Sequence, residues 1–364
     1  MLFYWIIFII VAYCAIFVPR KNKQKAYLFL FWLLFLLGAT RAASVGTDIK
    51  GYSAEFYFIM MNPNTWGQVM GQFDLGFAFF MAFFKTYICS EPIYFFHLIF
   101  AITFILCCRI IKRYSVDPAL SLLFLLGFAY YFSFYNTMRQ DLCFTIVSSF
   151  LPLVIEKKEY FKFALITIIV SYFVHKSQMV LLIFIPVVLY YNDDIFSTKK
   201  MILYLLVSSV VGITCSAVIF QKLGFLATFY QGGNSNFANY LTDSDQMGQY
   251  SNLSNILNTL FAIYIVITHR FERTVFLVIY VIGIILLNLL TPISWIFMRI
   301  AFTFMYFRIF TYAYMWYKIP NKYERYLYRC LIIIFTIVMF NNRLINDHYE
   351  DVVPYVNHYF STFP

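Results

Sequence analysis

Long apolar runs recur along the whole chain, separated by short charged loops. They fall at residues 2–18, 26–43, 92–111, 118–135, 141–155, 161–175, 177–191, 201–220, 256–268, 274–290, 295–317 and 330–340. No strand-like alternation of apolar and polar positions recurs, so the backbone must satisfy its own hydrogen bonds within helices. Several runs fall short of the roughly 20 residues a full span needs, so their ends are expected to extend into the flanking loops. The stretch 76–89 is apolar too, but holds only about 14 residues. This pattern predicts an all-α polytopic membrane protein. It would be one integral membrane domain over residues 1–364, with about 12 transmembrane helices and a re-entrant or interfacial helical hairpin.

Composition removes the soluble alternative. Hydrophobic residues make up 62% of the chain and charged ones 12%, where a soluble domain carries about 25% charged residues. With so little polar surface, a water-soluble fold would expose large apolar patches and aggregate.

The basic residues then orient the helices, because cytoplasmic loops collect Lys and Arg. With the N-terminus outside and 76–89 not crossing, the inner loops hold 18 of the 27 basic residues and 7 of the 17 acidic ones, +11 against −1 elsewhere. The net charge of +10 is therefore a topology signal and does not point to nucleic acid. A full crossing by 76–89 would put whole sets of basic loops on the wrong side. Residues 44–91 are accordingly expected to form an outer, periplasmic region with interfacial or re-entrant helices, in a bacterial inner membrane. No basic residue precedes Leu2 and no small-residue cleavage pattern follows, so the start reads as a first span and not as a leader.

Other chemistries leave no trace. The seven cysteines sit mostly in apolar runs, without metal-ligand spacing. There is no glycine-rich phosphate loop and no internal repeat. Neither a cofactor nor a metal is expected, and any energy must arrive with the substrate.

Two outer stretches are long enough to be functional, 44–75 and 221–255. The second is rich in Asn, Gln, Ser, Gly and Tyr, which suit sugar hydroxyls and sugar faces as well as ordinary solvated loops. Ionisable residues near lipid are costly and so mark candidate sites. Arg41, Asp48, Asp74, Arg139, Asp141, His175, Lys176 and Arg299 all fall near the outer surface, as if helix ends converged on an outward basic pocket. Arg139 lies in NTMRQDL at a turn, where a guanidinium can hold phosphate oxygens or snorkel to headgroups. Arg299 lies about one turn inside its helix and breaks the positive-inside pattern. Arg308, nine residues on, would point to the opposite side of the same helix. His175 can cap a helix C-terminus or accept a proton. Asp48 can act as a base or start the next helix.

Taken in order, TRAASVGTD with Tyr52, NTMRQDL, FVHKSQM, the late Arg-bearing WIFMRIAF and Pro354–Tyr355 resemble the motifs of EpsG/Wzy-type polysaccharide polymerases. One departure is Cys143, where the family usually has a small residue. The resemblance implies a fold similar to the GT-C glycosyltransferases. It also implies a polymerase joining undecaprenyl-diphosphate-linked oligosaccharide repeat units in the outer leaflet, with a chain-length regulator as a further partner. On that reading Asp48, His175, Arg139 and Arg299 are the catalytic candidates. Arg41, Tyr52, Gln140, Lys176 and Tyr240 would bind diphosphate and sugar, with Trp66 also available to stack. The alternatives are a lipid-linked oligosaccharide flippase or transporter and an O-antigen ligase. A flippase should place polar groups along a path through the bilayer, whereas these charges gather at one surface.

Overall fold

The computed structural model describes residues 1–62, 73–214, 252–269, 274–291, 295–345 and 352–360. Trp66, Tyr240, residues 63–72 of the first long loop and residues 221–251 of the second lie outside them. The described chain is helical, with one isolated backbone bridge between Arg41 and Asn357. It forms two units. The first comprises Met1–Leu181 with Tyr312–Pro364, the second Leu182–Thr311.

The first unit begins with α1 (Leu2–Ile16), α2 (Lys23–Ala39), α3 (Ile49–Phe58), α4 (Leu75–Tyr87) and α5 (Pro92–Tyr114). It continues with α6 (Pro118–Gly127), α7 (Tyr130–Asn136), α8 (Met138–Ser148), α9 (Leu151–Ile155) and α10 (Tyr160–Val174). Helix α6 is its centre. Every residue from Ala119 to Gly127 is buried, as expected of a helix apolar on all sides, and it packs against α1 and α2. Its start follows from sequence: Pro118 occupies the first turn, where its missing N–H is no loss, and the Asp117 carboxylate caps Leu120 N at 3.2 Å.

Within the second unit lie α11 (Phe184–Tyr190), α12 (Thr198–Thr214), α13 (Asn252–Thr268), α14 (Val275–Leu290) and α15 (Trp295–Met305). A buried polar seam ties three of them: Asn288 of α14 bonds Ser208 of α12 and Thr259 of α13 at 3.1 and 2.9 Å. Then α16 (Arg308–Lys318) and α17 (Lys322–Ile345) carry the chain back to the first unit, where α17 packs on α6.

Large apolar side chains stand exposed along these helices, among them Ile9, Phe17, Trp32, Leu36, Leu206, Ile334 and Val338. Such a surface is stable only against lipid. Among the described residues three helical stretches are long and apolar enough to cross a membrane: Pro92–Tyr114, Met138–Ile155 and Lys322–Ile345. Two bent pairs raise this to five if each pair is one span, and several further apolar helices are shorter.

Four expected runs are built differently from a plain helix. Run 118–135 breaks between α6 and α7, which diverge by 61°, at Ala129 in the left-handed region with φ 62°. Run 177–191 opens as a 3-10 helix, Lys176–Ile183. Run 141–155 begins earlier, at Met138, so Arg139 lies in the first turn of α8 and not in a turn between spans. Run 295–317 is interrupted at residues 306–307, so Arg308 starts a helix of its own. Arg299 and Arg308 therefore lie on different helices and not on opposite sides of one.

A latch joins the starts of α2 and α6 to the end of α16. Asp117 is buried, pairs with Lys23 Nζ at 2.9 Å and accepts the Tyr317 hydroxyl at 2.6 Å. Arg20 stacks over the Tyr317 ring at 4.8 Å. Asp117→Ala leaves the Lys23 ammonium with the Ala15 carbonyl but no counter-charge and uncaps α6, so it should destabilise by about 3 kcal/mol. Thermal unfolding in detergent measures this; an unchanged midpoint refutes the role.

Candidate functional site

The first unit brings most of the expected residues together at one end. The N-terminal turn of α8 presents Arg139. Its Nε donates to the Tyr52 hydroxyl at 3.2 Å, and its guanidinium lies 4.4 Å over the Phe73 ring. Tyr52 in turn stacks on Phe73, with centroids 5.4 Å apart, above a buried floor that includes Ile49, Phe56, Phe77, Phe95 and Phe96. Aromatic faces attract a guanidinium and fix its plane without neutralising it.

Phe73 is followed by Asp74, which precedes α4 and faces the end of α10. Its carboxylate lies 3.6 Å from His175 Nδ1 and 3.7 Å from Lys176 Nζ. These are ion-pair distances, longer than a direct hydrogen bond. Gly76 makes the approach possible, because a Cβ there would meet the Phe173 carbonyl at 2.7 Å. Cys143, one turn beyond Arg139 on α8, reaches the His175 carbonyl at 3.8 Å. The adjacent pair Phe73–Asp74 thus links the guanidinium to the imidazole.

Asp48 stands at the N-cap position of α3, yet its side chain caps no first-turn amide. Its backbone carbonyl accepts from Tyr52 N at 3.0 Å, so it lies one turn from the Tyr52–Arg139 contact. Gly46 sets this loop. Its φ of +123° suits glycine, and a Cβ would meet Asn136 Oδ1 at 2.8 Å. Gly46→Ala should therefore cost about 1–3 kcal/mol of local strain and depress activity; an unaltered specific activity and melting midpoint would rule this out.

Arg41 is placed differently from an outward-facing ligand. It is fully buried, over the Tyr135 ring at 4.5 Å, and donates to the Gly38 carbonyl at 3.2 Å and to Met138 Sδ at 3.9 Å. Its neighbour Met138 opens α8, so Arg41 lies against the first turn of the helix that carries Arg139. Gln140 is also buried, Lys176 is exposed, and Asp141 accepts the Thr137 hydroxyl at 2.6 Å.

Arg299 and Arg308 belong to the second unit. Arg299 lies half-buried on α15, and its carbonyl accepts the Thr303 hydroxyl at 3.2 Å. Arg308 is buried and donates to Asn258 Oδ1 at 3.4 Å.

Among the described residues no three of His, Cys, Asp and Glu converge as metal ligands. The arrangement offers a planar cation held on an aromatic wall, and an imidazole with a carboxylate at ion-pair distance. Such a pair can stabilise a departing anion and accept a proton.

A model of the EpsG family matches residues 24–357, nearly the whole chain. The chain belongs to the EpsG family. Membership makes it a membrane protein of polysaccharide biosynthesis and points to polymerisation in general. Neither a curated protein nor a solved structure matches it. In this EpsG-family chain the matched region contains Arg41, Asp48, Tyr52, Arg139, His175 and Arg299.

Sequence reasoning passed over Phe73, Met138, Tyr135 and His97 and left Asp74 among the surface charges. Aromatic residues are so frequent here, at 22%, that no single one stands out. Asp74 carried a usable signal, an acid directly before an apolar helix, but nothing local pairs it with a histidine about 100 residues on.

Proposed function

We propose that this EpsG-family protein joins undecaprenyl-diphosphate-linked oligosaccharide repeat units by glycosyl transfer at the periplasmic face of a bacterial inner membrane. The observation that carries the reading is the Arg139 guanidinium locked between Tyr52 and Phe73 beside the Asp74–His175 pair. The bond from the donor's anomeric carbon to the diphosphate oxygen breaks, and that oxygen leaves with the electron pair. A hydroxyl of a second lipid-linked unit captures the anomeric carbon and loses its proton to His175. The transition state resembles an oxocarbenium ion, and Arg139 stabilises the charge growing on the diphosphate. Asp74 orients the imidazole, in the way a carboxylate serves a catalytic histidine. Asp48 and Gln140 orient the acceptor, while Lys176 adds a contact to the diphosphate. In this topology α3 and α4 are re-entrant or interfacial helices on the outer side, and the fold is GT-C-like.

Purified protein incubated with lipid-linked repeat unit alone should yield a ladder of longer glycans. Product only after a second acceptor is added would instead mean a ligase. Transbilayer movement of lipid-linked sugar without bond formation would mean a flippase.

A further inference from the structure

The last described segment of the chain, residues 352–360, returns to the loop that carries Arg41. His358 N donates to the Thr40 carbonyl at 2.7 Å and Ala42 N to the Val356 carbonyl at 2.8 Å, on either side of the Arg41–Asn357 bridge. Asn357 Nδ2 donates to Thr40 Oγ1 at 2.8 Å. The Tyr355 hydroxyl donates to the Leu37 carbonyl at 2.9 Å and lies 3.2 Å from Thr40 Oγ1. From the other side His97 Nε2 donates to the Arg41 carbonyl at 2.8 Å. The backbone just past the end of α2, where a helix leaves its last carbonyls without partners, is therefore held by the tail and by His97. Among the described residues the Arg41 guanidinium donates to one carbonyl and one sulfur and lies over the Tyr135 and Phe100 rings. The loop backbone sets where that side chain starts and so whether it reaches those partners.

Here the polar groups of Tyr355 and Asn357 converge on Leu37 and Thr40, within a single turn of Arg41, across more than 300 residues of sequence. Phe3 anchors the strap by stacking on Tyr355 at 4.8 Å.

We propose that residues 352–360 form a positioning strap, in which Tyr355 and Asn357 hold the Thr40–Ala42 backbone and thereby aim Arg41 at the underside of the Arg139 turn. The proposal rests on the glycosyl-transfer reading of that site. Arg41 contributes a fixed positive charge beneath the departing diphosphate, and a misaimed charge lowers turnover more than it weakens substrate binding.

The test uses full-length protein in lipid nanodiscs with purified lipid-linked repeat unit as substrate. Asn357→Ala and Tyr355→Phe should lower kcat by about 10-fold or more, with KM and the melting midpoint close to wild type. Asn357→Asp, which keeps the size and loses the donated hydrogen bond, should resemble Asn357→Ala, and Asn357→Gln should recover part of the rate. In an Arg41→Lys background, Asn357→Ala should have little further effect, because the strap works through Arg41. Equal losses in both backgrounds, or losses that only follow the melting midpoint, would overturn the strap while leaving polymerisation intact. Wild-type protein inactive on this substrate counts against the polymerase reading itself, and the strap proposal falls with it.

Discussion

Arg139→Ala is expected to lower polymerisation by about 10²–10³-fold, the usual effect of removing one preorganised donor from a developing anion. The guanidinium is held twice, by the Tyr52 hydroxyl and by the Phe73 face, so its direction is set before substrate arrives. Such preorganisation is what makes a donor effective in a water-poor site. Arg139→Lys keeps the charge but loses the planar fork and the stacking, and should recover only part of the rate. Tyr52→Phe removes one hydrogen bond, about 1 kcal/mol or roughly a fivefold loss. Glycan ladders from cells, normalised to inserted protein, measure all three. A full-length ladder from Arg139→Ala would remove the residue from the chemistry and leave the snorkelling role.

The second large effect concerns His175. His175→Ala should cost about 10²–10⁴-fold, the range for loss of a general base. Asp74→Asn should fall between wild type and His175→Ala, since it keeps the shape but loses the charge that orients the imidazole. Lys176→Ala should do least, because its ammonium is largely exposed and its pairing with Asp74 is screened. An Asp74→Asn variant as fast as wild type, or His175→Ala with an undiminished ladder, contradicts the pairing.

The membrane character was legible from the apolar runs, because lipid imposes long runs on any helical span. The candidate residues were legible in part: Arg139 lies in a short polar break, His175 ends an apolar run, and Asp48 and Tyr52 lie in a long loop, where ionisable and polar residues stand out. Their grouping was not legible. Phe73 and Asp74 connect Arg139 with His175 only through tertiary packing, and periodicity carries no such information. Helix breaks were missed for a related reason. Ala129 itself carries no left-handed signal and Gly127, the last residue of α6, sits inside an apolar run, while residues 306–307 continue an apolar run without any stop signal. Arg41 shows the opposite error. Its charge drew it to the surface in the sequence reading, whereas the rings of Tyr135 and Phe100 accommodate its guanidinium inside.

The most direct measurement counts products in a defined reaction. Purified wild-type protein and Arg139→Ala are given lipid-linked repeat unit as the sole substrate, and glycosidic bonds and free lipid diphosphate are quantified together. Wild type should release one lipid diphosphate for each bond formed, and Arg139→Ala should form almost neither. Bond formation without lipid diphosphate release, or equal yields from the two proteins, would contradict glycosyl transfer at the Arg139 site.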